Sequence, residues 1–326
     1  MRALVLGALV VGTLGGPAFA VDPSLDALVR SGDVPYRGML VINGETVVKV
    51  VHGTGDRKRQ EIMSPGRMHG DLIVDNGKTF WHFSPRTQKV DLSPTRQWGE
   101  RIADRLRLLT RNYRLKMVGC EMVAGRSANV VELRSSHPDR GSQRLWLDQD
   151  HAVPLRSERR NAQGRLVERN EFREISFPGQ VDPSQFLLEL PANVAITTSV
   201  RLLASGRTLA DFHDSLPFAA RLPAYLPSGF EGMDLHLFES KGVTSLHWRL
   251  SDGLATLSLF MTDRDHHPDL PTATAVALAP NREAHLVEQP GRRMLCWTDQ
   301  RLGYAMVGDL SQSELVKVAR STLSDE

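Results

Sequence analysis

The sequence predicts an α+β protein in two parts: a large curved antiparallel half-barrel enclosing one helix, and a smaller α+β domain at the C-terminal end. Three observations lead there. Between Tyr36 and Phe177, short apolar runs alternate with tight turns, including Asn43-Gly44 and Asn76-Gly77; an Asn-Gly pair suits the positive φ angles of a two-residue hairpin turn. One helical pattern interrupts these strands. After Phe177 the composition shifts through Pro178-Gly179 and Asp182-Pro183, and a second series of strand-like runs starts near Leu222.

The elements follow in chain order. Arg2, the apolar run 3–14 and Ala18-Phe19-Ala20 have the layout of a cleaved secretory signal over residues 1–20, cut near Ala20. The protein is therefore expected in the periplasm, without a lipid anchor, since no Cys follows the cut. Asp22-Pro23 would cap a short helix bearing Leu25, Leu28 and Val29, stopped by Gly32. The half-barrel is placed at 21–190, with strands at 36–42, 45–51, 71–75, 79–83, 113–122, 128–134, 144–148, 154–160 and 165–177. Consecutive strands joined by short turns favour antiparallel pairing. The stretches 53–59 and 64–70 read as turns.

For the helix, Ser93 is the expected N-cap and Pro94 the first helical residue. Trp98, Ile102, Leu106 and Leu109 form its apolar stripe, while Arg101, Arg105, Arg107 and Arg111 take much of the remaining surface. Leu40, Ile42, Trp81, Phe83, Trp98, Ile102, Leu106 and Leu109 are the candidate lining of the shell's interior, filled either by the protein's own side chains or by a lipid.

Residues 191–221 read as a linker and 222–326 as the small domain. Its runs are 233–239, 244–250, 255–262, 283–288, 293–298 and 302–308. Ser311 caps a last helix with Leu315, Val316 and Ala319 on its apolar side.

The 326 residues carry a net charge of +2, so no bulk field favours nucleic acid. Beyond the leader, no apolar run is long enough to span a membrane. The sequence lacks H-E-x-x-H, G-x-S-x-G, a P-loop and C-x-x-C; no catalytic residue, metal or cofactor is expected. Asp263, Asp265, His266, His267 and Asp269 could ligate a metal, but neighbours in one polar loop read better as solvated. Cys120 and Cys296 are expected as buried free thiols, a bridge being the alternative. Glu168 and Glu171 read as partners of nearby arginines. Arg101, Arg105, Arg107, Arg111 and Arg114 read as a solvated face, with lipid phosphates or an acidic partner as the alternative.

A family resemblance enters on particular runs. Val123-Ala124-Gly125-Arg126-Ser127-Ala128, Leu145-Trp146-Leu147-Asp148 and Pro154-Leu155-Arg156-Ser157 resemble the signature of the RseB/MucB family, and Tyr36-Arg37-Gly38-Met39-Leu40-Val41 resembles its first strand. In the second part the matching runs are Leu226-Pro227-Ser228-Gly229-Phe230, Ser251-Asp252-Gly253-Leu254 and Val307-Gly308-Asp309-Leu310. The resemblance implies a LolA/LolB-like large domain and a small domain that grips the periplasmic part of an RseA/MucA-like transmembrane anti-sigma factor. Binding would shield that factor from proteolysis and restrain a sigma-E type envelope stress response, and lipid or lipopolysaccharide would loosen the grip. The alternative is a LolA-type periplasmic carrier of lipoproteins or lipids.

Overall fold

The structure is a computed structural model describing residues 31–55, 57–95, 102–137, 140–190, 194–264, 273–289 and 292–323. The expected leader, the helix around Leu25, Trp98, Arg101 and most of the acidic–histidine loop (Asp265, His266, His267, Asp269) lie outside the described residues.

Twelve strands build the first sheet: β1 (Tyr36–Ile42), β2 (Thr46–His52), β3 (Lys58–Ile62), β4 (Leu72–Asp75), β5 (Thr79–Ser84), β6 (Lys89–Pro94), β7 (Tyr113–Val123), β8 (Arg126–Ser135), β9 (Ser142–Asp148), β10 (Pro154–Arg160), β11 (Leu166–Ser176) and β12 (Ala195–Thr198). Their order is β12-β6-β5-β4-β3-β2-β1-β11-β10-β9-β8-β7. Every pair is antiparallel except β12 on β6, and β7 and β12 end the order, so the sheet is open. It nevertheless curls. Ala124, in the β7–β8 turn, packs on the cluster of Tyr36 and Leu40 although β7 and β1 are far apart in the order. Register shifts at Met39/Leu40, Pro154/Arg156 and Met117/Gly119 supply the extra twist that bulges bring.

The β1–β2 turn is as expected, with positive φ at both Asn43 and Gly44. The β4–β5 turn works differently: only Gly77 has positive φ, and the Asn76 side chain accepts from the Lys78 and Thr79 amides at 3.0 and 2.9 Å.

Three expectations need correction. The stretch 53–59 read as a turn, but Lys58 and Arg59 open β3. Ser93 and Pro94 end a strand, opposite Phe80 and Thr79, instead of starting the helix. Proline at a strand end costs no ladder hydrogen bond, and Val90 is fully buried at a strand position, so the strand wins. Two strands fall within 191–221: β12, and β13 (Arg201–Gly206). All four β12 residues are exposed, so the strand is held by backbone pairing and leaves no alternation to read.

Helix α1 (Ile102–Asn112) runs directly into β7. Leu106 and Leu109 pack with Tyr113, Val131, Leu133, Leu145 and Leu147 on one face of β7–β9.

The second sheet has the order β13-β14-β15-β16-β20-β19-β18-β17. Its further strands are β14 (Glu231–Ser240), β15 (Val243–Ser251), β16 (Thr256–Asp263), β17 (Thr274–Ala279), β18 (Arg282–Gln289), β19 (Arg292–Thr298) and β20 (Leu302–Gly308). Helix α2 (Gln312–Arg320) covers one face and buries Leu315, Val316 and Ala319, as expected. The Ser311 hydroxyl accepts from the Glu314 amide at 3.3 Å, the expected cap. Trp297, stacked on Tyr304, closes the core by donating its indole N–H to Thr322 at 2.9 Å. No described helix is long and apolar enough to cross a membrane.

Candidate partner-binding surface and the seam between the sheets

The two sheets meet along α1. Its apolar side faces the first sheet, and its arginine side faces the second. Arg105 donates to the Gly253 carbonyl at 3.2 Å. Arg107 grips Glu231 with two bonds of 3.0 and 2.6 Å, Arg111 bonds the same carboxylate, and Arg111 also reaches the Gly229 carbonyl at 3.1 Å. This corrects the reading of Arg105, Arg107 and Arg111 as a solvated face. An amphipathic pattern separates apolar from polar sides, but it cannot separate water from a folded polar partner. The hydrogen bond from Arg107 outweighs partial burial and, with Arg111, holds the Glu231 carboxyl down to about 2.

Beneath these pairs lies a buried polar knot. The Asn112 amide donates to the carbonyls of Gly229 and Asp252, each at 2.9 Å. The Tyr113 hydroxyl donates to the Asp252 carboxylate at 2.8 Å. Arg140 stands 3.7 Å from that carboxylate, donates to the Ser228 carbonyl at 3.1 Å and lies over the Phe230 ring at 5.2 Å. The Asp252 side chain is fully buried and also accepts from the Leu254 and Ala255 amides at 3.0 and 2.7 Å. Burial pushes its carboxyl up despite these bonds, and burial likewise raises the Tyr113 phenol. A buried carboxylate is tolerated only when paired and hydrogen-bonded, so these partners are a structural requirement. Arg159–Asp309 and Arg207–Asp104 (3.0 Å) tie the seam further along.

Gly253 is confined by the helix. Its φ is +101°, and a Cβ there would sit 2.5 Å from the Leu109 amide nitrogen. The runs 226–230 and 251–253 read in sequence as a turn and a join between strands, and with Leu254 and Asp309 they carry the family resemblance; in the structure they are the second unit's side of the seam. The sequence had no separate signal for Glu231 or Arg140, because their partners lie more than 80 positions away.

The candidate lining residues divide among clusters. Leu40, with Ile42 beside it, packs with Tyr36, Val48, Val50 and Phe172. Leu40 borders a cavity of about 30 Å³ shared with Val50, Asn170 and Phe172; such a space suits a water molecule and is far too small for an acyl chain. Trp81 packs separately with Val51, Val74 and Phe186. Phe83 is half-buried opposite Leu72. Leu106 and Leu109 lie under α1, Ile102 opens the helix, and Trp98 is outside the described residues.

Both cysteines are free, as expected, but Cys120 is exposed on edge strand β7 and not buried. Burial pushes the Cys296 thiol up to about 12. Glu168 and Glu171 do pair with arginines, Arg159 at 3.0 Å and Arg169 at 2.5 Å. Asp148, Asp150 and His151 are grouped closely enough to suggest a metal. Arg126 already sits between the two carboxylates, 2.5 Å from Asp148 and 2.9 Å from Asp150, and supplies the positive charge. Burial alone would raise the Asp148 carboxyl; the bonds from Arg126 and His151 more than offset it and hold it low.

The two-sheet arrangement has known relatives. The complex structure of Pseudomonas aeruginosa MucA/MucB aligns at 20% identity over 93% of this chain and 98% of that chain, with a TM-score of 0.61. A crystal structure of MucB in complex with MucA(peri) aligns at 20% identity over 91% of this chain and 96% of that one, with a TM-score of 0.59. MucB crystallised as such gives 20% identity, 93% and 97% coverage, and a TM-score of 0.57. At that identity the likeness establishes the fold. No curated protein sequence matches the chain. Residues 36–189 match the MucB/RseB N-terminal domain, so the first unit of the chain is a domain of that family.

Proposed function

We propose that this protein is a periplasmic negative regulator of a sigma-E type envelope stress response. It binds the periplasmic part of an RseA/MucA-like transmembrane anti-sigma factor and shields it from proteolysis. The carrying observation is the alignment of 93% of the chain, both sheets included, with a MucB held in a complex with MucA. The seam fits this reading. It fixes two sheets in one relation, so a partner can meet both at once without a further ordering cost. The leader-like residues 1–20 fit export.

In this reading residues 21–190, with β12, form the sensing half, and residues 222–326, with β13, hold the partner. Lipid or lipopolysaccharide releases the partner only by preferring the released conformation. Reversal of a largely bound population needs a preference of roughly 10⁴-fold. An acyl chain at Leu40 and Ile42 requires the shell to open well beyond its present cavity. The test is affinity capture from envelope extracts with the full mature chain as bait. Recovery of a single-pass anti-sigma factor is expected; its absence under conditions that preserve membrane proteins overturns the reading.

A further inference from the structure

The face of the first sheet turned away from α1 carries a charge pattern that the seam does not use. Tyr113, Leu133 and Leu145 point into the α1 cluster, so their chain neighbours Arg114, Arg134 and Arg144 project from the reverse face. Two rows of directly opposed residues cross this face. One runs Lys116, Glu132, Arg144, Glu158, Arg169, alternating in sign over five strands. The adjacent row runs Arg114, Arg134, Ser142, Arg160, Leu166 and holds no carboxylate.

The available acids are already shared. Glu132 serves Arg134 at 3.1 Å and Arg144 at 3.6 Å. Glu158 serves Arg160 at 3.3 Å and Arg169 at 4.0 Å. Arg114 and Lys116, both exposed, have no carboxylate partner among the described residues. Arg114 stands directly opposite Arg134, whose side chain is 72% exposed. Like charges directly opposed across an antiparallel pair weaken a sheet, so the pairing needs a reason outside the fold. At the end of the row, opposite Arg160, Leu166 is 45% exposed.

We propose that this face docks on an anionic phospholipid bilayer. From β7 to β10 the arginine row spans about 14 Å at the usual strand spacing. The row crosses the sheet from the edge strand β7 inward to β10, so its cations spread over the sheet's face instead of following one strand edge, and an array of phosphates is the surface they match. Guanidinium groups bind phosphate in a bidentate fork, and an exposed leucine beside them can enter the headgroup boundary. The inference rests on the sheet's charge pattern and stands apart from the regulatory reading; together they would hold the molecule flat against the membrane its partner spans.

The test is co-sedimentation of the full mature chain with vesicles of phosphatidylcholine alone or mixed with phosphatidylglycerol. Binding is expected only to the anionic vesicles and weakens with salt. The variant Arg114→Ser/Arg134→Ser loses about twenty-five-fold in partition, at roughly fivefold per charge. The charge-matched control Arg301→Ser/Arg320→Ser, on the second unit, loses far less. Because the first variant removes a like-charge pair, its Tm is expected to be unchanged or higher, which separates lost docking from misfolding. Equal partition to both vesicle types, no binding to anionic vesicles, or full binding by Arg114→Ser/Arg134→Ser each overturns the proposal. So does capture by soluble polyglutamate with none by vesicles, which would point to an acidic protein instead.

Discussion

Tyr113, the first residue of β7, donates its hydroxyl across the seam to Asp252, 2.8 Å away, and both residues are buried. Asp252 also answers Arg140, whose side chain is 2% exposed. Loss of one partner therefore leaves a charge in the interior without compensation. Asp252→Ala is expected to cost about 3–5 kcal/mol, the range for a broken buried ion pair. Tyr113→Phe, which leaves Asp252 with Arg140 and two amide donors, costs about 1–2 kcal/mol. Urea denaturation measures both; equal costs would mean that the tyrosine and not the ion pair holds the knot.

Gly253→Ala tests how closely the seam is packed. The position has φ +101° and lies against the Leu109 backbone, with no flexible side-chain end to give way. We expect a loss of about 2 kcal/mol or more, from strain together with displacement of α1. Gly164→Ala, at a positive φ in the open β10–β11 turn with nothing within 4 Å, supplies the strain term alone. A loss no larger at Gly253 than at Gly164 would show that the second unit is not seated on α1.

The pairing of Glu231 with Arg107 and Arg111 gives an acid-sensitive contribution. The carboxyl is at about 2 in the folded protein against 4.5 without its partners. Its contribution is therefore complete above pH 4.5 and is lost as pH falls toward 2. The side chain is 35% exposed, so solvent screening reduces the nominal value to about 1 kcal/mol. Glu231→Gln should lower stability at pH 7 and have little effect at pH 2, as read from denaturant midpoints; an equal loss at both would refute the ion-pair account.

Two histidines act in a higher window. His52 is stacked on Tyr36 and donates from Nδ1 to the Val34 carbonyl at 3.0 Å; His247 is stacked on Phe260 at 4.4 Å, with His236 and Asp234 from β14 and Arg249 from its own strand nearby. Burial first, then a nearby basic side chain, Lys58 for His52 and His236 for His247, holds each at about 4 against 6.5. The unfolded chain thus binds the proton first. Stability is full above pH 6.5 and declines as pH falls toward 4, by at most about 3 kcal/mol per group. His247→Phe should flatten this decline, while an unaltered slope would exclude His247 as a source.

The first sheet was legible where side chains alternate between core and water. Leu40, Val48 and Val50 mark one buried row, and Asn43-Gly44 fixes the turn between their strands. Legibility failed where backbone pairing alone makes the strand, as in β12, or where a proline serves equally as a helix start and a strand end, as Pro94 does. The seam was half visible. The arginine stripe of α1 stood out, but its acceptor Glu231 is 120 positions from Arg111, and nothing local marks such a partner. Cys120 was misplaced because cysteine usually prefers the interior, whereas here it sits on an unpaired edge.

Calorimetric titration of the full mature chain with the periplasmic segment of an RseA/MucA-like anti-sigma factor from the same organism tests the central claim most directly. Saturable binding at micromolar concentration or tighter is predicted, with protection of that segment from its protease at saturation. No heat of binding and undiminished cleavage at saturating protein would contradict it.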